Sequence, residues 1–323
     1  MIGIHLLLLA FAVAVITPRS LVRAGRVRRC PRLGIAAWYA TLVAVATAGL
    51  GAAVAWLAPW QAATAPVCAA WRWCVEAARG GYGAAGWLAF YAILAAAALA
   101  AARIAAIIVR AVRTGARRRR EHVATLKLAG RPVAYLGATV VEHPQPAAYV
   151  VAGQQRRVVV TTGALQALAA DELAAVLAHE RAHAAGRHDL IIDGIRLLQH
   201  AFPHSTLLAC ARRELGRLVE MRADDVATRH HARLSLARAL VAMASDSSAP
   251  GSDAASAGLA PQLAATGGDA LTRMNRLLDP PVPLPRPARW TLAGGLGLLA
   301  ISPLVLLLAA QIFPVLGMCP TLP

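Results

Sequence analysis

Charge is scarce in this chain, and acidic charge scarcest. Asp and Glu number 16 against 33 Lys and Arg, and charged residues make up only 15% of the sequence. With 58% hydrophobic residues and a mean hydropathy of +0.54, the 323 residues do not suit an ordinary soluble domain, and a membrane protein is expected. Cysteine is also sparse: five residues and no CxxC pair, which argues against a thiolate-ligated metal. The first apolar stretch lacks a preceding positive charge and a clear cleavage site, so it reads as an uncleaved span and not a signal peptide. No internal repeat occurs.

Four apolar runs are long enough to cross a bilayer. Ile2 to Thr17 is near the lower limit, at about 1.5 Å per residue against a core of about 30 Å. Gly34 to Ala58 and Ala84 to Ala102 span without strain, and Trp290 to Phe313 is the fourth, with Pro303 as an expected kink. Arginine sets the orientation. Arg19, Arg23, Arg26, Arg28, Arg29 and Arg32 follow the first span, and Arg110, Arg113 and Arg117 to Arg120 follow the third. Both clusters are expected in the cytoplasm, with the loop carrying Arg72 and Arg79 outside. A nucleic-acid patch is the other reading of four consecutive arginines. Their position directly after a span favours topology and contact with the lipid bilayer, so no direct nucleic-acid partner is expected. The net charge of +17, most of it arginine, is read the same way. This topology places Cys68, Cys74 and Cys319 outside and Cys30 and Cys210 inside; an oxidising exterior would permit a Cys68–Cys74 disulfide. Trp60, Trp71, Trp73 and Tyr82 in the outer loop read as an interfacial aromatic belt.

The expected fold class is mostly α: a polytopic membrane protein with four transmembrane helices and a cytoplasmic α+β domain between the third and fourth. Residues 1–109 hold three spans with a basic cytoplasmic loop and a short external loop. Residues 110–243 form the cytoplasmic domain, 244–289 a flexible and then proline-rich linker, and 290–323 the fourth span and a short external tail. Arg103 to Arg120 continues the third helix. "RRVVVTTGAL", from Arg156 to Leu165, reads as a β-branched strand ending in a turn at Thr162–Gly163. Asp171 stands where a helix N-cap belongs and Gly186 where a C-cap belongs. Ser205 to about His230 is a second long helix, preceded by Pro203.

Within the first of those helices lies "LAHERAHAAGRHDL", Leu177 to Leu190. His179 and His183 are four apart, so one lies above the other on a helix face and both can reach one metal ion. Glu180 is rotated about 100° from His179, beside the metal position, where it can take a proton from water. A catalytic zinc site needs a third protein ligand and an open position. Two candidates exist. Asp189 completes HExxHxxGxxD, close to the metzincin spacing, which His188 misses by one. Glu220 in "EMRADD" shares a helix face with Asp224, which could accept a hydrogen bond from a ligating histidine. Taken alone, Glu220 would suit an ordinary ion pair with Arg217 or Arg213.

HERAH, the preceding "VVVTTGAL", and Glu220 followed by Ala223–Asp224 resemble the membrane zinc metallopeptidases of the BlaR/MecR type. They are more distantly similar to HtpX and the CAAX prenyl endopeptidases. The resemblance covers Tyr149 to Thr228, and the four-span layout also matches. It implies a gluzincin, with Zn2+ held by His179, His183 and Glu220, Glu180 as catalytic general base, and Asp224 behind a ligating histidine. It also implies a structural role for Asp189. The chain stops at Pro323, ten residues past Phe313, so no penicillin-binding sensor domain is expected after the fourth span.

The expected function is a zinc-dependent endopeptidase of the cytoplasmic membrane. Its substrate is expected to be a cytoplasmic or membrane-adjacent protein, plausibly a transcriptional repressor in a signalling pathway. The alternatives are an HtpX-like quality-control protease and a non-proteolytic signalling receptor, against which the general base Glu180 argues. Arg157 to Thr161 is expected to pair with an extended substrate as an edge strand. Tyr149, His200, His204, His230 and His231 are the candidate oxyanion stabilisers; His5, His122 and His143 have no assigned role.

Overall fold

The computed structural model describes residues 2–57, 130–151, 156–246 and 267–317, and scattered positions between 91 and 121. Most of the third expected span, the outer loop with its aromatic residues, His122, Cys68, Cys74, Cys319 and linker residues 247–266 lie outside the described residues. The chain divides into two compact units, one of Met1–Ala24, Ala36–Val109 and Pro285–Pro323, the other of Gly25–Ile35 and Arg110–Leu284.

The first unit is built from helices that are apolar on nearly every face. Helix α1 is Ile2–Arg23 and α3 is Pro31–Leu57, of which the part from Ala36 belongs to this unit; the short α2, Gly25–Arg29, belongs to the second unit, and a long C-terminal helix covers Arg286–Gly317. Among the described residues, three stretches are long and apolar enough to cross a membrane: Gly3–Arg23, Pro31–Ala53 and Arg286–Ala309. Leu7, Leu8, Phe11, Leu298, Leu304 and Leu308 are exposed along them, as suits helices whose solvent is hydrocarbon. The C-terminal helix runs through Pro303 without a break.

The second unit holds a four-stranded sheet: β1 Gly130–Val133, β2 Ala138–Val141, β3 Ala148–Val151 and β4 Arg157–Thr161, in the order β1-β2-β4-β3. β1 pairs antiparallel with β2, β2 parallel with β4, and β4 antiparallel with β3. β4 is therefore an inner strand, buried from Val158 to Thr161. This corrects the expectation of an edge there: both rows of its backbone donors and acceptors are already used, so no substrate strand can add to it. The outer strands are β1 and β3. The expected turn at Thr162–Gly163 is instead the start of α4, Thr162–Ala167, capped by the Thr161 hydroxyl accepting from Ala164 N.

Then follow α5 Ala170–Gly186, α6 His188–Ala201, α7 Thr206–Ala227, α8 Arg233–Asp246 and α9 Gly267–Leu278. Helix α5 is central. It packs on β3, β4, α7 and α8, with Val176 and Leu177 in a core shared with Val158, Val160, Leu236, Met243 and Leu277. Its caps differ from the sequence expectation by one or two residues. Ala169 is the N-cap, its N–H donating to Glu172 Oε2 at 3.1 Å, and Asp171 instead accepts from Ser235 Oγ. Arg187, at φ +50°, ends the helix, and Gly186 stays helical. Gly186 is needed for space: a Cβ there would lie 2.3 Å from His188 Nε2. Sequence reading placed 267–278 within the linker; these residues form α9, packed against α7 and α8.

Candidate metal centre

Helices α5 and α7 supply the polar groups of the site, and each arrives there for a helical reason. His179 and His183 are one turn apart on the α5 face that packs against α7, and both are buried. Glu220 and Asp224 are one turn apart on α7. The two pairs meet: His179 Nε2 lies 3.5 Å from Glu220 Oε2 and His183 Nε2 lies 3.5 Å from Glu220 Oε1. His179, His183 and Glu220 each offer one ligand atom within 4.8 Å of the others, a group that could hold a metal ion.

The outer nitrogens of both rings face polar groups. His179 Nδ1 lies 3.0 Å from Asp224 Oδ1, within ion-pair distance but outside hydrogen-bonding geometry, and His183 Nδ1 is 3.1 Å from His188 Nδ1. If each Nδ1–H donates outward, both Nε2 lone pairs point into the same space, where they approach to 3.0 Å. Two lone pairs repel. A cation between them satisfies both, and imidazole–imidazole–carboxylate is a donor set that suits zinc. The donor chemistry therefore fits a divalent metal. Burial works against charge on His179, but Asp224 and Glu220 override it and push its pKa up to about 10. His183 moves the other way, to about 3, because burial dominates.

Sequence reading missed Arg273. It comes from α9, is buried, and places Nε and Nη2 on the two oxygens of Asp224 at 2.9 and 2.8 Å, with Nη1 3.0 Å from Glu220 Oε2. Burial alone would raise both carboxyls. The hydrogen bond with His179 and the Arg273 charge hold Glu220 down at about 2, and the Arg273 charge holds Asp224 well below the usual carboxylate range. Glu180, partly buried next to the group, behaves oppositely: burial pushes its carboxyl up to about 7, against the pull of His179. A carboxyl poised near neutrality can exchange a proton with water. The signal for Arg273 was present as Met274 and Leu277 three apart with Arg273 and Arg276 likewise, a short amphipathic helix directly after a linker of low complexity.

Asp189 is not part of the group. It sits in the first turn of α6, where Arg156 Nε and Nη2 reach its carboxylate at 3.3 and 3.5 Å. Arg217, a candidate partner for Glu220, pairs with Glu214 instead, at 2.9 Å. Of the candidate oxyanion stabilisers, His200, His204 and His230 are exposed, His231 is half-buried, and Tyr149 is half-buried in the outer strand β3.

Residues 111–200 match the model of peptidase family M48. That stretch, under a third of the chain, includes His179, Glu180 and His183 and ends before Glu220 and Arg273. The match supports a metallopeptidase of that family. No curated protein and no solved structure matches the chain.

Proposed function

We propose that this chain is a membrane-bound zinc-dependent endopeptidase. The observation that carries the reading is the convergence of His179, Glu180 and His183 from α5 with Glu220 from α7. His179, His183 and Glu220 would hold the metal, and Asp224 and His188 would fix the two ring tautomers from behind. Zinc bound there would supply the Lewis acidity that acidifies water and polarises the scissile carbonyl. Glu180 removes the proton of the attacking water and delivers it to the leaving amine. Arg273 keeps Glu220 ionised. The outer strand β3, packed beside α5, is where an extended peptide would add to the sheet.

The proposed substrate class rests on the arginine asymmetry, which supports a cytoplasmic peptidase unit, and on the resemblance to BlaR/MecR-type peptidases. Both support a cytoplasmic or membrane-adjacent protein, plausibly a transcriptional repressor. The test uses Glu180→Gln, which is expected to keep zinc and abolish cleavage of an unfolded protein by the purified full chain. Wild-type turnover by this variant would remove Glu180 from the mechanism. Proteins accumulating in cells with Glu180→Gln then decide the role: one regulator uncut supports signalling, whereas many misfolded membrane proteins support HtpX-like quality control.

A further inference from the structure

A concavity of about 530 Å³ is lined by residues of α2, α7 and α9 and of the chain just after α9. Its lining is basic. Arg28 and Arg29 are exposed, and among the described residues neither has an ion-pair partner. Arg276 forms part of the wall. Its Nη2 is held by Asp225 at 2.7 and 2.9 Å and its Nη1 by the Arg28 carbonyl at 2.8 Å, which leaves a buried Nε with no hydrogen-bond partner. Thr272 and Asn275 add neutral polar groups, and Asp279 is the single carboxylate of the lining. Cation density continues beside it. Arg222, next to the lining residue Met221, has its pKa lowered by burial and then by Arg32 and Arg229.

The chain itself sets the depth of this cavity. Gly25 follows the end of span helix α1 at Arg23 by two residues, and Pro281 precedes the C-terminal span helix at Arg286 by five. Extended chain reaches about 3.5 Å per residue, so the lining lies within about 7 Å of one span end and about 18 Å of another. The nearer bound matches the headgroup layer, about 5–8 Å deep on each face, where basic pockets capture anionic lipids. A phosphodiester is the anion that suits it, since guanidinium groups bind phosphate oxygens through paired N–H donors.

We propose that this cavity binds the phosphate headgroup of an anionic phospholipid, with Arg28 and Arg29 as its cationic lip and the Arg276 guanidinium in its wall. The same two helices carry the metal centre: Glu220 adjoins Met221, and Arg273 is one turn from Arg276. A bound headgroup therefore bears on the helix that positions Arg273.

The test is lipid binding by the purified full chain, counted by native mass spectrometry as phosphatidylglycerol or phosphatidylcholine is titrated. Wild type is expected to retain one phosphatidylglycerol in preference to phosphatidylcholine. Arg28→Gln with Arg29→Gln should weaken retention about thirtyfold, the loss expected for two interfacial arginines. The charge-matched control Arg19→Gln with Arg23→Gln should leave it unchanged, and Arg28→Lys with Arg29→Lys should keep most of it in a chain with its charge intact. Equal retention by wild type and the Gln pair overturns the proposal, as does an equal loss in the control. Displacement of the lipid by millimolar inorganic phosphate would assign the pocket to a soluble anion and overturn the lipid source.

Discussion

Three histidines crowd one side of the candidate metal centre, but only His179 and His183 turn a nitrogen towards Glu220. His188 stands behind His183, buried, and holds its Nδ1. Replacing His188 with Leu should weaken zinc binding by about 10–100-fold, the usual cost of losing a ligand's outer partner. Asn at the same position should recover part of that loss, because it can still accept the Nδ1–H. Competition with a chromophoric chelator measures both, and identical losses in Leu and Asn variants would show that packing, not the hydrogen bond, is at work. The third ligand is tested alongside. Glu220→Gln should empty the site of zinc, whereas Asp189→Asn, which loses only a contact with Arg156, should keep it. Metal analysis giving the reverse would move the ligand to Asp189.

Helix α9 is tied to α7 by two arginines one turn apart. Arg273 is bidentate on Asp224, and Arg276 holds Asp225. The first pair is buried, so removing one side strands the other charge. Arg273→Met should destabilise the peptidase unit by about 3–5 kcal/mol, read as a fall in Tm of the full chain. A change within experimental error would mean that Asp224 finds a substitute cation. At the turn from β4 into α4, Gly163 packs against the chain at Pro144: a Cβ there would lie 2.0 Å from the Pro144 oxygen. Backbone cannot yield as a flexible side chain does, so Gly163→Ala should cost about 1–3 kcal/mol, and a neutral Ala variant would show that the 143–147 segment moves freely.

Three apolar helices among the described residues suggest that the chain associates with a membrane, and the arginine clusters are the ground for proposing a cytoplasmic peptidase unit. A membrane-impermeant thiol reagent applied to intact cells should label Cys319, or Cys68 and Cys74 after reduction, and spare Cys210 until the cells are opened. Labelling of Cys210 alone would invert the topology, and with it the side on which a substrate must be sought.

Much of this was legible in the sequence because it rests on local periodicity. Apolar runs of span length and a pair of histidines four apart keep their meaning wherever the helix is placed, since helix geometry alone puts i and i+4 on one face. Glu220 was one of two candidates on spacing, and a resemblance favoured it. Only the packing of α7 against α5 sets it 3.5 Å from both histidines, while Asp189 is drawn to Arg156. The sheet was nearly invisible, because β1 to β3 are four residues each and β1 carries Pro132. Strand order is a non-local property, so no local pattern could say that β4 lies inside and β3 outside. Arg273 was hidden for the same reason. It is one arginine among many in the sequence, and it becomes part of the site through the docking of α9, which brings it against two carboxylates some fifty residues earlier in the chain.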